Sequence, residues 1–189
     1  MYQNFLREAL ERKACFSAGI EVKRPLDVLP ESTEVKVLLL GDWGSGSVEQ
    51  KNIAVKTAIT CDQLGCDLVL MLGDNYIQHG VENLQDPQFQ EKFEEVYTQK
   101  VPFYPVLGNH DLQGNWRAQV EYTNHSDRWT MPDSNYDFIG GPVQFVGINT
   151  SCTICSLWNL LRPRTTAWRV VFGHRPIVTQ GRHRGMNWL

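Results

Sequence analysis

Four short apolar runs, each ending on a polar motif, set the pattern of this chain. Val35-Lys36-Val37-Leu38-Leu39-Leu40 leads into Gly41-Asp42-Trp43-Gly44, and Asp67-Leu68-Val69-Leu70-Met71-Leu72 into Gly73-Asp74-Asn75. Val101-Pro102-Phe103-Tyr104-Pro105-Val106-Leu107 leads into Gly108-Asn109-His110-Asp111, and Trp168-Arg169-Val170-Val171-Phe172 into Gly173-His174. Continuous apolar runs of this length are the pattern of buried strands. Between them the period becomes helical. Ser47 with Gln50 reads as a capping box opening a helix to about Leu64, where Gly65 suits the stop. Asp86-Pro87 supplies an N-cap and a first-turn proline for a helix with Phe89, Phe93, Val96 and Tyr97 on one face. A further helix is predicted from Trp116 to Tyr122 and a further strand from Val143 to Ile148. Strands alternating with helices predict an α/β sheet with its helices outside.

Residues 1–34 read as an N-terminal extension ahead of a domain spanning 35–189. Phe5, Leu6, Ala9 and Leu10 fall at helical spacing, and Pro25 and Pro30 break the following lead-in. No internal repeat or low-complexity stretch is present.

Ligands of such sheets bind beyond the carboxyl ends of the strands, and the motif residues fall there. A lone Asp after a strand is usually a cap or turn residue, and a lone His usually a satisfied structural group. Asp42, Asp74, Asn109 and His174 together, beside glycines that allow close backbone approach, point instead to a divalent-metal site. A binuclear hydrolytic centre needs a bridging carboxylate, which Asp42 or Asp74 could supply, with an amide oxygen and an imidazole to fill the shells. His110 would act on a substrate without binding metal.

The 189 residues suffice for one sizeable core, and with a net charge of −3 nothing global argues for a nucleic-acid or membrane-surface partner. The charge is uneven: residues 151–189 hold six Arg and no Asp, Glu or Lys, leaving 12 basic and 21 acidic residues before them. That basic segment favours an anionic substrate or balances sequence lying elsewhere. No stretch reaches the roughly 20 apolar residues of a membrane span. The N-terminus has no basic and apolar signal pattern, and localisation stays open. The five cysteines, odd in number and loosely spaced, form no disulfide framework, and Cys152-Thr153-Ile154-Cys155 reads as ordinary thiols. Asn124-His125-Ser126 and Asn149-Thr150-Ser151 fit the glycosylation sequon, which matters only in a secreted chain.

Gly-Asp-Trp-Gly, Leu-Gly-Asp-Asn and Leu-Gly-Asn-His-Asp resemble the motifs of the calcineurin-like metallophosphoesterases, and more narrowly those of the tartrate-resistant (purple) acid phosphatases. The narrower resemblance continues through Gly114-Asn115, Ala118-Gln119, Tyr122, Arg128-Trp129 and Pro132, and through Val171-Phe172-Gly173-His174 to His183. It implies a layered α/β/β/α sandwich, incomplete here at its C-terminus. It also implies that Asp42 binds a first metal, Asp74 bridges two, and Asn109 and His174 bind the second. His110 and His183 would contact the phosphate or leaving group, with His110 the proton donor. The cofactors would be two metal ions, of iron, zinc or manganese. The implied reaction is phosphate-monoester hydrolysis by a metal-bound hydroxide, on a phosphorylated small molecule or phosphoprotein. The chain departs from the family pattern at Ile77, where a metal-binding tyrosine is expected and Tyr76 stands one residue early. It also lacks the later Gly-His-x-His motif, and reads Asn149-Thr150 for Asp-Thr. Ser151–Ala167 does not resemble the segment expected there. A non-catalytic scaffold of the same fold and a phosphodiesterase of the wider superfamily are the alternatives. Oligomeric state is open.

Overall fold

The computed structural model describes residues 18–23 and 26–149, and the backbone of residues 171–174. Three of the apolar runs form a parallel sheet in the order β1 (Val37–Leu40), β2 (Leu68–Met71), β3 (Phe103–Pro105). Val37 pairs with Leu68 and Leu40 with Met71, while Val69 pairs with Phe103. The strand ends that carry Asp42 and Asp74 therefore lie side by side.

The crossover from β1 to β2 is α1 (Val48–Leu64). Its ends form as the sequence predicts. Ser47 is the N-cap and its side chain accepts from the Gln50 N–H, and Gly65 terminates the helix at φ 73°. The Gln50 side chain accepts from the Gly46 N–H at 2.6 Å, one residue outside the strict capping box. Its amide also donates to the Lys92 carbonyl, tying α1 to the next helical segment. That segment forms a π-helical turn at Gln90–Glu94 rather than a full α-helix. Asp86 caps the chain just ahead of it, its carboxylate accepting from the Gln88 N–H at 2.9 Å, while the π-helical turn itself has no side-chain cap. After β3 come a 3₁₀ turn at Asp111–Gln113, α2 (Trp116–Glu121) and a further 3₁₀ turn at Tyr122–Asn124.

A second, antiparallel sheet is built from β4 (Tyr136–Gly140), β5 (Val143–Gly147) and β6 (Val171–His174). The sequence pattern does not predict the strand at β4, and β6 as described runs through His174. The two sheets face each other, as alternation along the parallel strands requires. Val69, Met71 and Phe103 point to the helical side, while Leu68, Leu70 and Tyr104 point to Phe138 and Phe145 of the second sheet. The described layers are thus helix, sheet, sheet.

The helical-side core is mostly aromatic: Trp43, Tyr76, Phe89, Phe93, Tyr97, Phe103, Tyr122 and Trp129. Edge-to-face pairs dominate, such as Trp43–Tyr97 at 5.4 Å and Phe93–Trp129 at 5.1 Å, each contributing about 0.5–1.5 kcal/mol beyond area burial. Arg128 bridges this layer, pairing with the Glu94 carboxylate and donating to the carbonyls of Tyr97 and Gln99. The described lead-in residues also pack in, Ala18 and Ile20 against the aromatic core and Leu26 and Val28 between the sheets. Asn124 holds the lead-in, donating to the Glu21 carbonyl and accepting from the Lys23 N–H.

The cysteines correct the sequence expectation. Cys61 and Cys66 form a disulfide. The turn at Gly65 folds the chain back and brings their Cα atoms to 4.8 Å, which linear spacing does not reveal.

Candidate functional site

Asp42 and Asp74 each follow a glycine at the end of a parallel strand, and each takes a left-handed backbone conformation, with φ 52° and 50°. Asp tolerates this region better than most side chains, at some local strain. The Asp42 N–H donates to the Gly73 carbonyl at 3.2 Å, joining the two turns. The paired turns bring the carboxyl groups within hydrogen-bonding reach of each other. Burial, then the Asp74 charge and that hydrogen bond, raise the Asp42 carboxyl above its usual range, and His110 pulls the other way. Two carboxylates held this close, partly open to solvent, form a donor set that a cation would relieve.

The third motif closes over them. The His110 backbone N–H donates to Asp74 Oδ1 at 3.0 Å. A methyl group at Gly108 would sit 2.1 Å from both Asp74 N and Asp74 Oδ1, so only glycine permits this approach. Gly44 is as constrained: a methyl group there would lie 1.6 Å from the Asn75 carbonyl oxygen. The His110 ring points Nδ1 at the Gln78 carbonyl, 3.2 Å away. Asn109 is half-buried beside His110.

Beneath the site lies a polar knot built on Asp111. Asp111 is fully buried. Its Oδ2 accepts from Gly108 N–H (2.7 Å) and Asn75 N–H (3.1 Å), and its Oδ1 from Tyr76 N–H (3.1 Å) and the Gln119 amide (3.0 Å). Burial lifts the carboxyl to about 6 against those hydrogen bonds. Asn75 extends the knot, accepting from the Trp43 indole and donating to the Val106 carbonyl and to Gln119. One carboxylate therefore ties the loop after Asp74 to the loop before Asn109. The only signal for it in the sequence was its place in the Gly-Asn-His-Asp motif.

Tyr76 is wholly buried, packed against Trp43, Phe89 and Trp129, and its hydroxyl has no hydrogen-bond partner among the described residues. It faces away from Asp74. Ile77 follows in the expected tyrosine position, its N–H bonded to the Gly44 carbonyl.

His174 ends β6, and its side chain lies outside the described residues, as does His183. Among the described residues no cluster of three or more His, Cys, Asp or Glu side chains is placed to hold a metal ion. The structure thus brings together Asp42, Asp74 and His110, with Asn109 adjacent in the chain. An apolar cleft between the sheets, lined in part by Leu72, Tyr104, Val106 and Phe138, contains none of these residues. No described helix is long and apolar enough to cross a membrane.

Comparison with known proteins agrees with this architecture. The family model of the calcineurin-like phosphoesterases matches residues 35–189. Purple acid phosphatase 3 of Arabidopsis thaliana is 29% identical over 202 residues, covering 88% of this chain and 55% of that protein. Tartrate-resistant acid phosphatase type 5 of Homo sapiens is 38% identical over 112 residues, covering 54% of this chain and 34% of that protein. Among solved structures, GAP50, the anchor in the inner membrane complex of Plasmodium, superposes with a TM-score of 0.52 at 27% identity, covering 60% of this chain and 38% of that one. The chain spans between a third and just over half the length of these relatives. The motif residues, the two facing sheets and the match over residues 35–189 together place this chain in the calcineurin-like phosphoesterase family.

Proposed function

We propose that this chain carries a phosphate-monoester hydrolase site of the acid phosphatase type. The observation that supports it best is the meeting of Asp42 and Asp74 at adjacent parallel strand ends, with the His110 N–H on Asp74. In this reading Asp42, Asp74, Asn109 and His174 would hold two metal ions of iron, zinc or manganese. When bound, such ions supply an activated water and neutralise charge on the phosphoryl oxygens. Asp74 is aimed for that task by the His110 N–H and by the close approach of Gly108. The His110 ring, beside the carboxylate pair, would donate a proton to the leaving-group oxygen, and His183 would contact the phosphate. Ile77 in place of a tyrosine leaves no phenolate beside Asp74, so the holoprotein should lack the purple iron–phenolate colour.

A second reading is a scaffold of the same fold with no turnover. The likeness to the inner-membrane-complex anchor and the loss of the tyrosine position favour it.

One experiment separates the readings: metal content, with hydrolysis of p-nitrophenyl phosphate and bis(p-nitrophenyl) phosphate, for the chain and for Asp74→Ala. Metal with monoesterase activity, both lost in Asp74→Ala, supports the first reading. A folded chain without metal or turnover supports the scaffold. Preference for the diester overturns the monoester assignment.

A further inference from the structure

Gln78 is the most displaced backbone position near the site. Three other non-glycine residues with positive φ, Leu29, Asp42 and Asp74, lie at 50–54°, inside the left-handed well. Gln78 lies at 104°, outside it. Strain of this kind persists only where the surroundings over-determine it. Here they do. The Tyr76 N–H is held by Asp111 and the Ile77 N–H by the Gly44 carbonyl. The Gly80 N–H returns to the Tyr76 carbonyl, and a methyl group at Gly80 would lie 2.7 Å from the Asp111 carbonyl oxygen, so that side is packed as well. Both ends of the turn are fixed, and the strained peptide between them directs the Gln78 carbonyl at His110 Nδ1, 3.2 Å away.

A carbonyl oxygen only accepts. The contact therefore forms when Nδ1 carries a proton, which leaves Nε2 as the nitrogen that faces outward. We infer that Gln78 is a positioning residue: its strained main-chain carbonyl fixes the tautomer and ring orientation of His110, so that Nε2 is the nitrogen turned to the leaving group; the neutral ring has no proton there, and the proton donated is the one the imidazolium carries on Nε2 while Nδ1–H stays on Gln78. The inference rests on the reading above in one respect, that His110 meets the substrate. The tautomer lock itself does not depend on it. The Gln78 side chain is exposed and is not required; the backbone direction is.

The test uses the full chain with ¹⁵N-labelled histidine, at a pH where the imidazoles are neutral. The His110 signal is identified by its loss in His110→Gln. The expected wild-type signal is the Nδ1–H tautomer. Gln78→Gly, which accepts positive φ readily, should keep that tautomer. Gln78→Pro, with φ held near −65°, turns the carbonyl away. It should release the tautomer and lower kcat by about tenfold or more, with KM unmoved. If Gln78→Pro fails to fold by circular dichroism, Gln78→Val, whose branched side chain opposes positive φ, takes its place with the same readouts. An Nε2–H tautomer in the wild-type chain overturns the inference, as does a backbone-shifting variant with unchanged tautomer and kcat. Absence of turnover in a wild-type chain that shows the lock, released by Gln78→Pro, overturns the phosphatase reading and leaves the positioning role standing.

Discussion

Gly108→Ala tests whether the loop over Asp74 is set by close packing. The added methyl would stand 2.1 Å from Asp74 N and Oδ1 and 2.8 Å from its Cγ, where ordinary contacts begin near 3.4 Å. The Gly108 loop and the Asp74 turn must separate by about 1 Å or more, a displacement for which overpacked interiors typically lose about 1–3 kcal/mol. The same shift stretches two hydrogen bonds to carboxylates, His110 N–H to Asp74 and Gly108 N–H to Asp111. Losing one of these adds about 1.5–3 kcal/mol. The expected destabilisation is then about 3–5 kcal/mol, or roughly 10 °C in Tm for a chain of this size. A displacement of about 1 Å at a catalytic carboxylate also lowers kcat/KM by about a hundredfold if the chain turns over phosphate esters. Gly41→Ala is the control. It lies in the matching place before Asp42, yet a methyl there would meet only Leu72 Cβ at an ordinary 3.7 Å, with no left-handed backbone. Urea and thermal melts should show Gly41→Ala within about 1 kcal/mol of wild type. A Gly108→Ala chain that melts with wild type, or a Gly41→Ala chain that falls as far, would refute the packing argument.

Three further outcomes follow from the same geometry. Asp111 carries a carboxyl raised from 3.8 to about 6 in the fold, so its contribution to stability is fully present below pH 3.8 and is lost as pH rises through 6. The stability difference between wild type and Asp111→Asn should change by about 3 kcal/mol across that window, measured by urea melts at pH 4 and pH 7, and a difference independent of pH counts against it. Tyr76→Phe removes a buried hydroxyl without a partner among the described residues and should leave stability unchanged or raised by about 1 kcal/mol, with metal content as in wild type. Loss of metal in that variant would make Tyr76 a ligand after all. Reduction of the Cys61–Cys66 disulfide, or Cys61→Ser with Cys66→Ser, should cost roughly 2 kcal/mol by the loop-entropy estimate. It should leave any metal binding untouched, because the disulfide lies before β2 and Asp74 beyond its far end; coupled loss of metal would contradict that separation.

β2 and β3 were legible because burial on both faces leaves an uninterrupted apolar run, and β1 carries such a run although Leu39 is exposed. β4 was not, since Tyr136-Asp137-Phe138-Ile139-Gly140 faces the core on one side only and carries a charge on the other. α1 was located by its caps and not by its apolar residues. Those it buries are Gln50, Ala54 and Thr57, whereas Val48, Val55 and Ile59 face outward. An apolar-face argument would have turned that helix over. The meeting of Asp42 and Asp74 follows from strand ends placed side by side, and so was within reach of the sequence. What fixes their geometry was not. It resides in backbone N–H groups gathered on one buried carboxylate, and a main-chain donor leaves no mark on residue identity. Tyr76 shows the consequence. A one-residue slip would move it into the expected ligand position, but Gly80 keeps the family spacing and argues against one. The Asp111 bond to the Tyr76 N–H and the Gly44 bond to the Ile77 N–H hold the observed register. The tyrosine is held in the aromatic core by the same knot that positions Asp74, so regaining a phenolate at the site requires a new side chain at position 77 rather than a shift of the old one.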